Sequence, residues 1–202
     1  MMAEIPYITV FTFITVLWVI VRAIVALKNR KIDIRHELKL LIFYFYIEIM
    51  AMIVYFPMNF ASGQIGTMKF DSERIIPPLL NPVPIIHIFD RYSGWLRNLI
   101  GNIILFIPIG IIWPFCFKKM NNILKVTAAG LGFSLFIELS QLLLYERMTD
   151  ADDLILNTLG ALTGAVIYFS VSLIIRKKRK SKQMERRIND FTDKENYSAS
   201  VD

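Results

Sequence analysis

Cysteine is almost absent from this chain. Cys116 stands alone among 202 residues, so no disulfide can form within the chain. The fold is therefore not a small secreted domain held by staples. Histidine is nearly as scarce. His36 and His87 lie far apart, and with a single Cys they do not suggest a zinc site. A cleaved secretion signal would carry a basic stretch ahead of its apolar block. None precedes the first block here, and Glu4 stands in its place. That block is expected to remain as a helix. No internal repeat or low-complexity tract is found. Polar sequence is also short: 55% of the residues are hydrophobic and the mean hydropathy is +0.49. That is too apolar for an ordinary soluble domain of this size.

The apolar residues fall in five long blocks, each near the ~20 residues that a helix needs to cross the hydrocarbon. They run from about Ile5 to Leu27, Leu38 to Pro57, Asn98 to Phe117, Ile123 to Tyr145 and Leu154 to Ile175. The expected fold is an all-α, polytopic membrane bundle of about five transmembrane helices. Arg22 lies near the end of the first block and is expected to snorkel toward Lys28 and Arg30. Three segments are expected: 1–37, a first helix and basic loop; 38–175, the main transmembrane domain; and 176–202, a basic tail. From about Arg186 onward the tail is polar and is expected to be disordered.

Charge sets the orientation. The first loop carries Lys28, Arg30, Lys31, Arg35 and Lys39; the third carries Lys118, Lys119 and Lys125. The tail opens with Arg176, Lys177, Lys178, Arg179 and Lys180. The second loop, about forty residues long, has few basic groups, and the fourth has one Arg against four acids. The positive-inside rule puts the N-terminus outside and the C-terminus in the cytoplasm. The net charge of +6 does not point to nucleic acid, because +4 of it lies in the tail, directly behind an apolar block. An anionic membrane face explains that placement better. In the second loop Pro77, Pro78, Pro82 and Pro84 break any long helix. Ile85 to Phe89 is apolar enough to lie on the membrane or re-enter it.

Polar groups inside spanning helices are costly and need a reason. Asn98 and Asn102 are one turn apart on the third helix. Glu138 and Gln141 are three apart on the fourth. Asp150, Asp152 and Asp153 lie where the chain turns back, and Asn157 follows Asp153 by four. All are expected in the outer half of the bundle; Glu48 is expected near the middle of the second helix. Arg147 would pair with Glu138 or an Asp. Each also has a plainer reading. Thr149 and Asp152 fit a capping box, and acids suit a helix N-terminus. Amides and Glu138 could join helices. Gly160 and Gly164, like Gly130 and Ser134, have the spacing of close helix packing. Pro108, Gly110 and Pro114 interrupt the third helix, for packing or for a site.

These motifs together resemble the VanZ-like family of bacterial membrane proteins. The resemblance starts at Asn81-Pro82-Val83-Pro84 and continues through Asn98 to Gly110, including Phe106 and Pro108. It then takes in Glu138-Leu139-Ser140-Gln141, Arg147 to Asp153 and Asn157-Thr158-Leu159-Gly160, and spans roughly residues 40–175. It implies a bacterial cell-membrane protein. The family's namesake lowers susceptibility to teicoplanin, a glycopeptide that acts outside the membrane.

Three functions remain open on sequence grounds. In the first, Asn102, Glu138, Gln141, Arg147, Asp150, Asp152, Asp153 and Asn157 form an outward-facing binding patch. Its ligand would be a membrane lipid head group, a lipid-linked wall precursor or a lipoglycopeptide antibiotic. In the second, the carboxylates hold a divalent cation and Glu138 acts as a base on a lipid-linked substrate. No nucleophile with a neighbouring base is visible, and no resident metal or cofactor is expected. In the third, Glu48 and Glu138 relay protons through a small transporter.

Overall fold

The computed structural model of the chain describes residues 2–29, 33–56, 58–59, 64–71, 80–81, 95–142, 144 and 149–199. The five expected helices are there: α1 (Tyr7–Asn29), α2 (Ile34–Tyr55), α3 (Trp95–Cys116), α4 (Ile123–Gln141) and α5 (Ala151–Ala199). All five are long and apolar enough to cross a membrane. The ends follow local chemistry. Asp33 caps α2 by accepting from the backbone N–H groups of Arg35 and His36, at 3.0 and 3.4 Å. Asn122 caps α4 through the Lys125 N–H at 2.8 Å. Both satisfy donors that a helix start leaves orphaned.

Short strands, which the sequence reading did not foresee, fix the connections. They are β1 (Met2–Ile5), β2 (Met58–Asn59), β3 (Gln64–Ile65), β4 (Met68–Asp71), β5 (Leu80–Asn81) and β6 (Thr149–Asp150). β1 pairs antiparallel with β4, with Met2 opposite Asp71 and Ile5 opposite Met68. β2 pairs antiparallel with β3, and β5 runs parallel to β6, with Asn81 opposite Asp150. These pairings gather the segment before α1, the α2–α3 connection and the α4–α5 connection at one end of the bundle. The basic connections lie at the other end. There the Cys116 thiol donates to the Lys39 carbonyl at 3.2 Å, and the Lys39 ammonium sits 4.6 Å from the Phe115 ring centre.

The core is built on α3 and α5. Phe106, Ile109 and Ala161 are fully buried, and Met50, Tyr46 and Ile137 close over them from α2 and α4. A β-carbon on Gly160 would strike the Ile103 carbonyl, one on Gly164 the Ile107 carbonyl, and one on Gly110 the Ala161 carbonyl. The small-residue row therefore brings two backbones into contact, as its spacing suggests. The expected interruption of the third helix does not occur: Pro108 and Pro114 stay inside an unbroken α3. Protein groups support the backbone around them: the Tyr46 hydroxyl donates to the Leu105 carbonyl at 2.7 Å, and the Tyr168 hydroxyl to the Pro114 carbonyl at 3.3 Å.

α1 is peripheral, with none of its apolar window buried. It leans on α2 through Trp18 against Tyr44, Tyr7 against Phe56, and a 2.8 Å hydrogen bond between the Thr15 and Tyr44 hydroxyls. Arg22 does not simply snorkel toward Lys28. It forms an ion pair with Glu37 on α2. A half-buried guanidinium gains more from a carboxylate one helix away than from approaching like charges.

Three further expectations need correction. α4 stops at Gln141, short of Tyr145. The chain from 186 to 199 is helical, because α5 runs on to Ala199. Lys, Arg, Glu, Gln and Met are good helix formers, and the apolar part of α5 supplies the nucleus that an isolated tail would lack. Side chains from Leu173 to Asp190 are all exposed. Thr149 lies in β6, two residues before the first helical residue, so it does not take the expected N-cap position.

Candidate functional site

Four helices contribute to a pocket of about 130 Å³ at the strand end of the bundle. Asn98, Asn102, Leu105 and Phe106 come from α3, Ile137, Glu138 and Gln141 from α4, and Asp153 and Asn157 from α5. Ile53 and Val54 of α2 close one side. The convergence follows from antiparallel packing. α3 and α5 start at this end and α2 and α4 finish there, so the first turns of one pair meet the last turns of the other.

The pocket wall is cross-linked. Asp153 accepts from the side-chain amide of Asn98 at 3.1 Å and also from that of Asn102. Asn102 reaches the Asn98 carbonyl as well, at 3.4 Å. The Gln141 amide donates to the Val54 carbonyl at 3.2 Å, tying α4 to α2. The Asn157 amide donates to the Ser134 hydroxyl at 2.9 Å, tying α5 to α4. Glu138 is 3% exposed and Asn157 is 4% exposed. Asp153 lies in the first turn of α5, where the helix dipole favours a carboxylate. Glu138 lies in the last turn of α4, where the dipole opposes one.

Seven residues singled out from sequence thus line one pocket: Asn98, Asn102, Phe106, Glu138, Gln141, Asp153 and Asn157. Asp152 is buried but does not line it. Asn81 and Asp150 are opposite each other in the β5–β6 pair. Pro84 and Arg147 lie outside the described residues, as does the Ile85–Phe89 segment. Gly110, Gly160 and Gly164 serve helix contact. Glu48 is elsewhere: it faces α1, accepting from Thr15 at 3.4 Å. Among the described residues, no group of three or more His, Cys, Asp or Glu side chains could hold a metal ion. Ser140 is engaged with the Tyr55 hydroxyl and the Ile137 carbonyl, and it does not line the pocket.

Sequence reasoning took Ser134 only as a packing residue. It is fully buried and is the partner that fixes Asn157. A serine in a small-residue row gives no sign of which polar group on another helix it will meet. Glu48 was singled out, but its neighbours Thr15 and Tyr44 were not.

A family model described as VanZ/LLP1 matches residues 43–175. Protein VanZ of Enterococcus faecium is 36% identical over 76 residues, covering 38% of this chain. The match covers 47% of that protein, so the chain spans about half the length of the curated relative it matches. No solved structure matches.

Proposed function

The chain belongs to the VanZ/LLP1 family, and from that premise we propose that it is a multi-pass protein of the bacterial cell membrane that holds the polar part of an envelope ligand in the α2–α3–α4–α5 pocket. The ligand is a lipid head group, a lipid-linked wall precursor or a lipoglycopeptide. Through that contact the protein lowers susceptibility to teicoplanin-type antibiotics. The observation that carries this reading is the convergence of six polar side chains from three helices on one pocket. Amides and carboxylates in a largely dry bundle are costly to place even when they pair with one another, so six on one pocket wall favour a binding role. The scarcity of basic residues in the connections at the pocket end supports an outward-facing pocket.

Susceptibility of a bacterium expressing the chain tests the reading. Glu138→Gln, Asp153→Asn and Asn157→Ala are each expected to abolish any protection while membrane levels of the protein stay unchanged. Full protection by all three would make the pocket a structural feature only. Charge-sensitive labelling of single cysteines placed near Lys69 and near Lys119 tests the orientation independently.

The proton-relay reading has less support. Glu48 is directed at α1 and does not share the pocket with Glu138. The cation-assisted reading has two lining carboxylates, Glu138 and Asp153, fewer than the three or four it called for.

A further inference from the structure

The pocket's hydrogen-bond inventory narrows what it can hold; this step rests on the reading of the pocket as a ligand site. Asn157 is 4% exposed and lines the pocket. Its amide nitrogen is committed to Ser134, which fixes the direction of the side chain. Its carbonyl oxygen has no hydrogen-bond partner among the described residues. A buried acceptor left without a donor costs a large part of its desolvation free energy. The amide nitrogens of Asn98, Asn102 and Gln141 each already serve an acceptor of the wall. The carboxylates of Glu138 and Asp153 add acceptors and, when ionised, no donors. Each of those amide NH2 groups carries a second N–H, yet none of them reaches the Asn157 carbonyl oxygen, which is the acceptor left for a donor from outside the wall.

Size and depth complete the argument. A volume of about 130 Å³ is well below the ~300 Å³ at which drug-sized ligands begin to fit. A whole glycopeptide does not enter; a head group of a few heavy atoms does. Asn157 lies six residues into α5, so it is roughly 9 Å below the helix start at 1.5 Å per residue. That depth is within reach of a lipid head group or glycerol region.

We propose that the pocket takes the donor-bearing head group of a membrane lipid, an ammonium or a hydroxyl cluster, and that the Asn157 carbonyl oxygen is the acceptor that selects it. Two lipid pairs test this on the full chain. Phosphatidylethanolamine and phosphatidylcholine carry the same head-group charges, but only the first has N–H donors. Phosphatidylglycerol and phosphatidylpropanol match in charge and length, but only the first has hydroxyls. Binding is read by native mass spectrometry from nanodiscs of a defined lipid mixture.

The donor-bearing member of at least one pair is expected to bind about tenfold more tightly, as for one hydrogen bond to a buried polar group. Which pair discriminates tells ammonium from hydroxyl. Asn157→Leu is expected to erase the preference, and Asn157→Asp, which keeps an acceptor, to retain it. Should Asn157→Leu not fold, the two wild-type pairs still decide. Equal binding within both pairs overturns the proposal, as does a preference that survives Asn157→Leu. If lipids bind without preference and Glu138→Gln abolishes that binding, the ligand pocket stands and the donor rule falls. If no lipid binds but teicoplanin does, the lipid proposal falls while the broader function is retained.

Discussion

Gly164 of α5 lies so close to the carbonyl oxygen of Ile107 on α3 that no β-carbon fits between the two backbones. Gly160 and Gly110 repeat the contact one turn away on either helix. The pocket is held between these same helices, so its geometry depends on this contact. Gly164→Leu should lower stability by roughly 1–3 kcal/mol or more, the usual cost of overpacking. Gly132 has open space around its Cα, with nothing within 4 Å of an added β-carbon. Gly132→Ala should be neutral, or should stabilise by up to about 1 kcal/mol through helix propensity. Thermal unfolding of both variants in one detergent reads the contrast.

Asp153 is the acceptor shared by Asn98 and Asn102. Asp153→Ala leaves two amides without that acceptor and should cost about 1–3 kcal/mol. Once Asn102→Ala is present, the same change should cost less. A double-mutant cycle should return a coupling of roughly 0.5–3 kcal/mol for residues sharing a network. Strict additivity would show that the shared bond contributes nothing to the fold.

Arg22 and Glu37 join α1 to α2, with 22% and 34% of their side chains exposed. Removing either one strands a charge against apolar helix surface. Arg22→Leu or Glu37→Leu alone should therefore destabilise more than the two together, by about 1 kcal/mol or more. Trp18 packs on Phe43 and Tyr44 beside this pair, so its fluorescence reports the detachment of α1.

Glu48 is 4% exposed, and one of its carboxylate oxygens has no hydrogen-bond partner among the described residues. A neutral amide suits such a place better than a charge. Glu48→Gln should leave stability unchanged or raise it by about 1 kcal/mol. If it also removes activity while stability rises, a proton on Glu48 takes part in function.

Beyond Leu173 the side chains of α5 are exposed as far as Asp190. A stop after Lys180 should leave the unfolding midpoint within about 1–2 °C, because no core contact is lost. The helical signal in circular dichroism should fall in proportion to the residues removed.

The five spans could be read from sequence because burial in lipid demands long apolar blocks, and Pro108 did not end its helix. Six of the polar pocket residues could be read because each violates that demand. The partners could not. Asn157 meets Ser134 across 23 residues, and Asn102 meets Asp153 across 51. Periodicity shows the face a residue occupies, not the helix that will cover it. The helical tail was missed because its polarity was weighed alone, without the preceding span that nucleates it.

The Arg22–Glu37 pair also bears on biogenesis. The two residues are 15 apart in sequence, Arg22 in the second half of α1 and Glu37 in the first turn of α2. At about 5–20 residues per second of synthesis, Arg22 waits roughly 1–3 s for its counter-ion to emerge. During that interval α1 carries a lone guanidinium that penalises its transfer into the bilayer. Once the first turn of α2 is made, the charges neutralise each other and the two helices can partition as one hairpin. The family match begins only at residue 43, inside α2. The ion pair therefore ties the helix that precedes that match to the first helix within it.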